Sequence, residues 1–145
     1  MSVRKDSSVY LVAPPTLHLP PSGFSICIVS NDEQFQTELV NLLDKGISKD
    51  QLTIYLNPNY KSVDPKLWIW YWHIINFVDL TIVDTQHITE QELRMSIALS
   101  GMKVPVIFRT GYNDELDTLF KTMKSPTYNT LSQLDFFMEG VFGDE

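Results

Sequence analysis

A glycine-rich phosphate loop, a basic run, a second cysteine and a long apolar span are all missing from this sequence of 145 residues. The six glycines are scattered, and none builds the turn after a strand that cradles a dinucleotide or an NTP. There is no Gly-x-Ser-x-Gly elbow, and His18, His73 and His87 stand far apart without metal-ligand or triad spacing. No cofactor is expected. The lone Cys27 has no partner for an intramolecular disulfide, and its apolar surroundings read as those of a buried, inert thiol. Eleven basic residues against 18 acidic ones leave a formal charge of -7, without the clustered lysines and arginines that phosphate backbones require. Nucleic acid is therefore not an expected partner. The densest apolar run, 67–72, is too short to cross a bilayer, and Arg4-Lys5 is not followed by a signal-peptide core. A reduced, cytoplasmic setting with no membrane association is the resulting expectation.

What is present is a regular alternation of apolar runs and capped helical patterns. Runs rich in β-branched residues at 8–13, 24–30, 51–57, 79–84 and 104–110 read as strands, with a weaker one at 127–129. The stretches Ile26-Cys27-Ile28-Val29 and Leu80-Thr81-Ile82-Val83 are continuous rather than alternating, as in strands covered on both faces of a parallel sheet. Between the runs, Ser30 to Glu33 reads as a capping box, and Asp64-Pro65 as an N-cap with proline at the first helical position. Thr89 with Glu92, Asn113, and Thr130 with Gln133 open three more helices. Strand–helix repeats with right-handed crossovers predict a three-layer α/β fold. Its open, mostly parallel sheet has five strands plus an extra N-terminal one. Residues 1–23 are expected to hold that strand and a proline-rich connector, and 24–145 a single α/β domain.

Ligands of such sheets sit at the carboxyl ends of the strands. The residues falling there are Ser30, Asn31 and Asp32; Asn57; Asp84, Thr85 and Gln86; and Thr110, Gly111 and Tyr112. The run Ile28-Val29-Ser30-Asn31-Asp32-Glu33, continuing to Leu42-Leu43, resembles the opening of a response-regulator receiver domain. The segment 79–84 is similar to that family's third strand, with Asp84 at the phospho-acceptor position. Pro105 to Tyr112, followed by Asp114-Glu115, resembles its fourth strand, with Thr110 at the hydroxyl position. The resemblance covers about 24–142 and implies a flavodoxin-like regulatory module.

The departures from that pattern point away from phosphoryl chemistry. The acidic pair that would hold Mg²⁺ reads Ser30 and Asn31 here, with only Asp32 one place later, and hard cations want carboxylates. The lysine of the fifth strand is absent as well. The pattern is that of a pseudo-receiver. Asp84 also has a plain structural reading, as an acceptor for the N–H groups of its own turn.

A second resemblance runs through Asn57-Pro58, Trp72, 79–84, Glu92-Leu93 and Pro105-Val106-Ile107. It is to nucleoside 2-deoxyribosyltransferase-like proteins, and it implies Glu92 as a nucleophile. Arg94 and Ser96 replace that family's glycine and alanine, and Glu92 is equally explained as the third residue of a capping box.

The segment 67–75 is the most unusual local feature. Read as a helix, it places Leu67, Tyr71, Ile74 and Val78 on the sheet, widened by Trp68, Trp72 and Ile75. Ile69, Trp70 and His73 then point elsewhere. Two readings stand: the N-terminal segment covers the helix through Val9, Leu11, Leu17 and Leu19, or Trp68, Ile69, Trp70 and His73 bind a protein partner or a second copy of the chain. The expected function is a non-catalytic interaction module, with a true phospho-receiver or an enzyme using Glu92 as alternatives.

Overall fold

The computed structural model describes residues 9–12, 24–46, 52–56, 65–102 and 105–142. Among these the chain alternates strands and helices: β1 (Val9–Val12), β2 (Phe24–Val29), α1 (Glu33–Gly46), β3 (Leu52–Leu56) and α2 (Pro65–Phe77), then β4 (Leu80–Val83), α3 (Glu90–Gly101), β5 (Val106–Arg109), α4 (Asp114–Met123), β6 (Thr127–Tyr128) and α5 (Leu131–Phe142). The strands form one sheet in the order β1-β3-β2-β4-β5-β6, and every pairing is parallel. This is the expected flavodoxin-like architecture. The proline-rich stretch, Asn57 and Asp64 lie outside the described residues.

The continuous apolar strands follow from burial on both faces. In β2, Ile26 and Ile28 enter a core with Phe35, Leu39 and Leu43 of α1 and Leu134 of α5. Cys27 and Val29 enter the opposite core with Trp70, Tyr71, Ile74 and Ile75 of α2, Leu99 of α3 and Phe120 of α4. Side chains alternate across a strand, so a run covered on both sides has no polar position to alternate with. Two layers of helices thus sandwich the sheet.

The caps are read correctly in three places and wrongly in one. Thr89 and Glu92 close a reciprocal capping box on α3, and the Asn113 side chain accepts the Leu116 N–H at the start of α4. Thr130 Oγ1 accepts the Gln133 N–H at 3.2 Å. At α1, however, the cap is Asp32, whose Oδ2 accepts the Phe35 N–H at 3.2 Å. Ser30 lies two positions too early and turns inward to Asp84.

Three tyrosines sit in this interior. Burial raises Tyr55 to about 12, with the neighbouring Cys27 adding to the shift. Burial, and then the Glu92 carboxylate, lifts Tyr71 well above its ordinary value. Burial, and then the Asp84 charge, lifts Tyr128, against the lowering effect of Arg109. The raised folded-state values fix the sign of the pH dependence. Their contribution is intact below the unfolded phenol value near pH 10 and is lost as pH rises beyond it. Burial also pushes the Cys27 thiol far up, and its contribution goes first, as the unfolded thiol ionises near pH 9. Urea midpoints should therefore hold to about pH 8, decline gently above that and fall more steeply beyond about pH 10, and Tyr71→Phe should soften the steeper part. A level curve through about pH 11 would mean that these rings ionise equally in both states.

Candidate functional site

The chain leaves β2 for β3 on one side of the sheet and later returns to β4 on the other side. The resulting switch point puts the turns after β2 and β4 side by side, where parallel α/β sheets hold their ligands. Asp84, the residue after β4, is wholly buried there. Its Oδ2 accepts Ser30 Oγ at 2.9 Å and contacts His87 Nδ1 at 2.8 Å. Its Oδ1 accepts an Arg109 terminal nitrogen at 3.0 Å and the Gln86 N–H at 3.3 Å. A carboxylate offers about four lone-pair positions, and here four donors fill them.

Arg109 ends β5, and its guanidinium is fixed from several sides. Its central carbon lies 5.3 Å from the Phe35 ring centre and 4.8 Å from that of Tyr112. The side chain is 15% exposed and spans from the buried carboxylate to the rim. Thr85 Oγ1 donates to the Arg109 carbonyl at 2.7 Å, tying the turn after β4 to the end of β5. A guanidinium thus supplies the positive charge that this buried carboxylate needs.

The other expected pocket residues do not converge on Asp84. Thr110 is half-buried, and its hydroxyl donates to the Tyr128 carbonyl at 3.4 Å. Asn31 Nδ2 donates to Glu92 Oε1 at 2.8 Å, and Asp32 caps α1. No group of three or more His, Cys, Asp or Glu side chains with metal-binding geometry occurs among the described residues.

Glu92 is 2% exposed and meets the capping-box reading in full. Its Oε1 accepts the Thr89 N–H at 2.9 Å, Thr89 Oγ1 at 3.2 Å and Asn31 Nδ2 at 2.8 Å. This carboxylate holds the start of α3 against the end of β2. Glu92→Ala should lower stability by about 1–2 kcal/mol, read from denaturant midpoints. A loss below about 0.3 kcal/mol would mean that the capping box carries no weight.

The aromatic helix is rotated relative to the expected stripe. Trp70 is 2% exposed, and its ring meets Tyr55 at 6.4 Å and Tyr71 at 5.3 Å, both edge-on. The expectation that Trp70 faces a partner is corrected: it is a core residue. Among the described side chains of this segment, which begin at Ile69, the buried ones are Trp70, Tyr71, Ile74, Ile75 and Val78, and Trp72 is 44% exposed. The two indoles are equal in size, so the choice lies in how the helix is rotated on the sheet. The setting that buries Tyr71, Ile74, Ile75 and Val78 also brings Trp70 against Tyr55 of β3 and leaves Trp72 on the outer side. Ile69 is 57% exposed and His73 is also exposed, both as expected. The Trp68 side chain lies outside the described residues. Leu11 is 60% exposed on β1. Leu17 and Leu19 also lie outside the described residues.

Two residues of the switch point escaped the sequence reading. His87 has its partner three positions back, across a turn, and not at any triad spacing. Arg109 ends an apolar strand one face-change away from Phe108. The absence of acids beside Asp84 could have prompted a search for a cation. No protein-family model matches the chain, and no curated protein sequence matches it either.

Proposed function

We propose that this chain is a receiver-like interaction and regulatory module that works without phosphoryl transfer and docks a protein partner through the outer face of α2. The saturation of Asp84 carries this reading. A phospho-acceptor needs a free carboxylate oxygen and a metal ion beside it. Here Arg109 stands as the counter-charge, and Ser30, His87 and the Gln86 N–H take the remaining positions.

The docking half rests on Ile69, Trp72, His73 and Asn76, which recur at helical spacing on the exposed side of α2, with Phe77 beside them at 37% exposure. Tryptophan and neighbouring apolar groups of this kind supply the anchor of many interfaces. The stripe carries no charge apart from any proton on His73, so the partner face is expected to be apolar with a polar rim.

The two halves are tested separately. Treatment with acetyl phosphate and Mg²⁺, followed by intact mass, should add no phosphate that Asp84→Asn removes; an Asp84-dependent adduct would overturn the first half. Ile69→Ser with Trp72→Ser should abolish a stoichiometric complex formed by the wild-type chain while leaving the unfolding midpoint in place. An intact complex with the double variant would overturn the second.

A further inference from the structure

β6 is the terminal strand, paired only with β5. The Phe108 N–H donates to the Pro126 carbonyl and the Thr110 N–H to the Tyr128 carbonyl. Thr127, between them, therefore turns its own N–H and carbonyl away from the sheet, where an added strand would pair. Neither group has a partner among the described residues. The next outward N–H, that of Asn129, is covered by a side chain, Gln133 Oε1 at 2.6 Å.

A cavity flanks this edge on each face of the sheet. On the α4 side, about 450 Å³ is lined by Lys121, Lys124, Ser125 and Asp117, together with Thr110 and Thr127. Asp117 is engaged by the Gly111 N–H at 3.1 Å, whereas neither lysine makes an ion pair among the described residues. On the α5 side, about 970 Å³ is lined by uncharged residues, among them Phe136, Phe137, Ser132 and Gln133. Phe136 is 79% exposed, the most exposed large apolar side chain described.

We infer that the β6 edge accepts an extended peptide segment of a protein partner whose side chains alternate between acidic and apolar. An added strand sends successive side chains to opposite faces of the sheet. Its acidic positions then meet Lys121 and Lys124, and its apolar positions meet Phe136. Main-chain bonds to Thr127 set the register, and the two cavities set the choice of side chains. Charge complementarity decides the sequence class, since this is a cationic pocket on a chain of net charge -7. This surface lies apart from the α2 face and does not depend on it.

The probe is a fluorescein-labelled octapeptide alternating Glu with Phe or Val. Its controls are the same peptide with Lys for Glu, and one with all the Glu residues placed first. Anisotropy should show saturable, salt-sensitive binding by the alternating peptide, with both controls weaker by about tenfold or more. Amide shifts should centre on residues 121–137. Lys124 adopts φ 61°, the left-handed conformation that glycine prefers at a helix end, so Lys124→Gly removes the charge without straining the fold. It should weaken binding about fivefold and leave the melting temperature level or higher. Thr127→Pro deletes the outward donor while keeping the β5 ladder, and should abolish binding. Equal binding by the block-order control would overturn the proposal, as would indifference to Lys124→Gly and Phe136→Ser. Amide shifts centred on Trp72 would also overturn it, while leaving the α2 reading in place.

Discussion

Arg109→Ala should cost about 3–5 kcal/mol of folding stability by urea denaturation, because it strands the Asp84 carboxylate in the interior without its counter-charge. Asp84 is wholly buried, and Arg109 is the only cation among the described residues whose charge reaches it, apart from any proton on His87. Ser30 and the Gln86 N–H remain in the variant, but dipoles do not offset a full buried charge. Two further variants locate the effect. Asp84→Asn in the Arg109→Ala background should recover part of the loss, since an amide tolerates burial better than an unpaired carboxylate; the coupling should fall within about 0.5–3 kcal/mol. Arg109→Lys should recover little, because an ammonium cannot lie as a plane against Phe35 and Tyr112 while reaching the carboxylate. A loss below about 1 kcal/mol for Arg109→Ala would place the pair among solvent-screened ion pairs and remove the basis for a sealed site.

Trp70→Ala should destabilise by about 3–5 kcal/mol, whereas Trp72→Ala, two positions along the same helix, should stay within about 1 kcal/mol of wild type. The indole of Trp70 fills the space between Tyr55, Tyr71 and the second core, and alanine leaves a cavity that β3 and α2 cannot close without shifting. Trp72 is 44% exposed and gives up little contact within the chain. Partner binding should show the reverse order once each variant is measured below its unfolding midpoint: Trp72→Ala loses the complex, and folded Trp70→Ala retains it. Equal stability losses for the two would contradict the packing of α2.

Much of the fold was legible because it depends on periodicity and local caps. The apolar runs at 24–30 and 79–84 differ from the observed β2 and β4 by only a residue at either end. Thr89 with Glu92 and Asn113 begin helices for reasons contained within four residues. The cap of α1 went astray because Ser30 and Asp32 are both good caps, and only the position of Asp84 decides which one turns inward. The rotation of α2 was hidden for a similar reason. Its helical wheel is apolar nearly all round, so hydrophobic spacing alone cannot choose between Trp70 and Trp72.

The sequence by itself determined the parallel α/β class, the placement of Asp84 and Thr110 at strand ends, and the poverty of acids beside Asp84. Those features follow from residue types and their spacing along the chain. Only the tertiary structure decided what balances Asp84, which tryptophan is buried, and that two unlike cavities flank the β6 edge. Arg109 lies 25 positions from Asp84 and meets it only because β4 and β5 are neighbours in the sheet. Lys121 of α4 with its C-cap Lys124, and the phenylalanines of α5, share an edge strand only because both helices pack beside β6, on opposite faces. Contacts between distant elements are set by the packing of whole layers, and no local pattern records them.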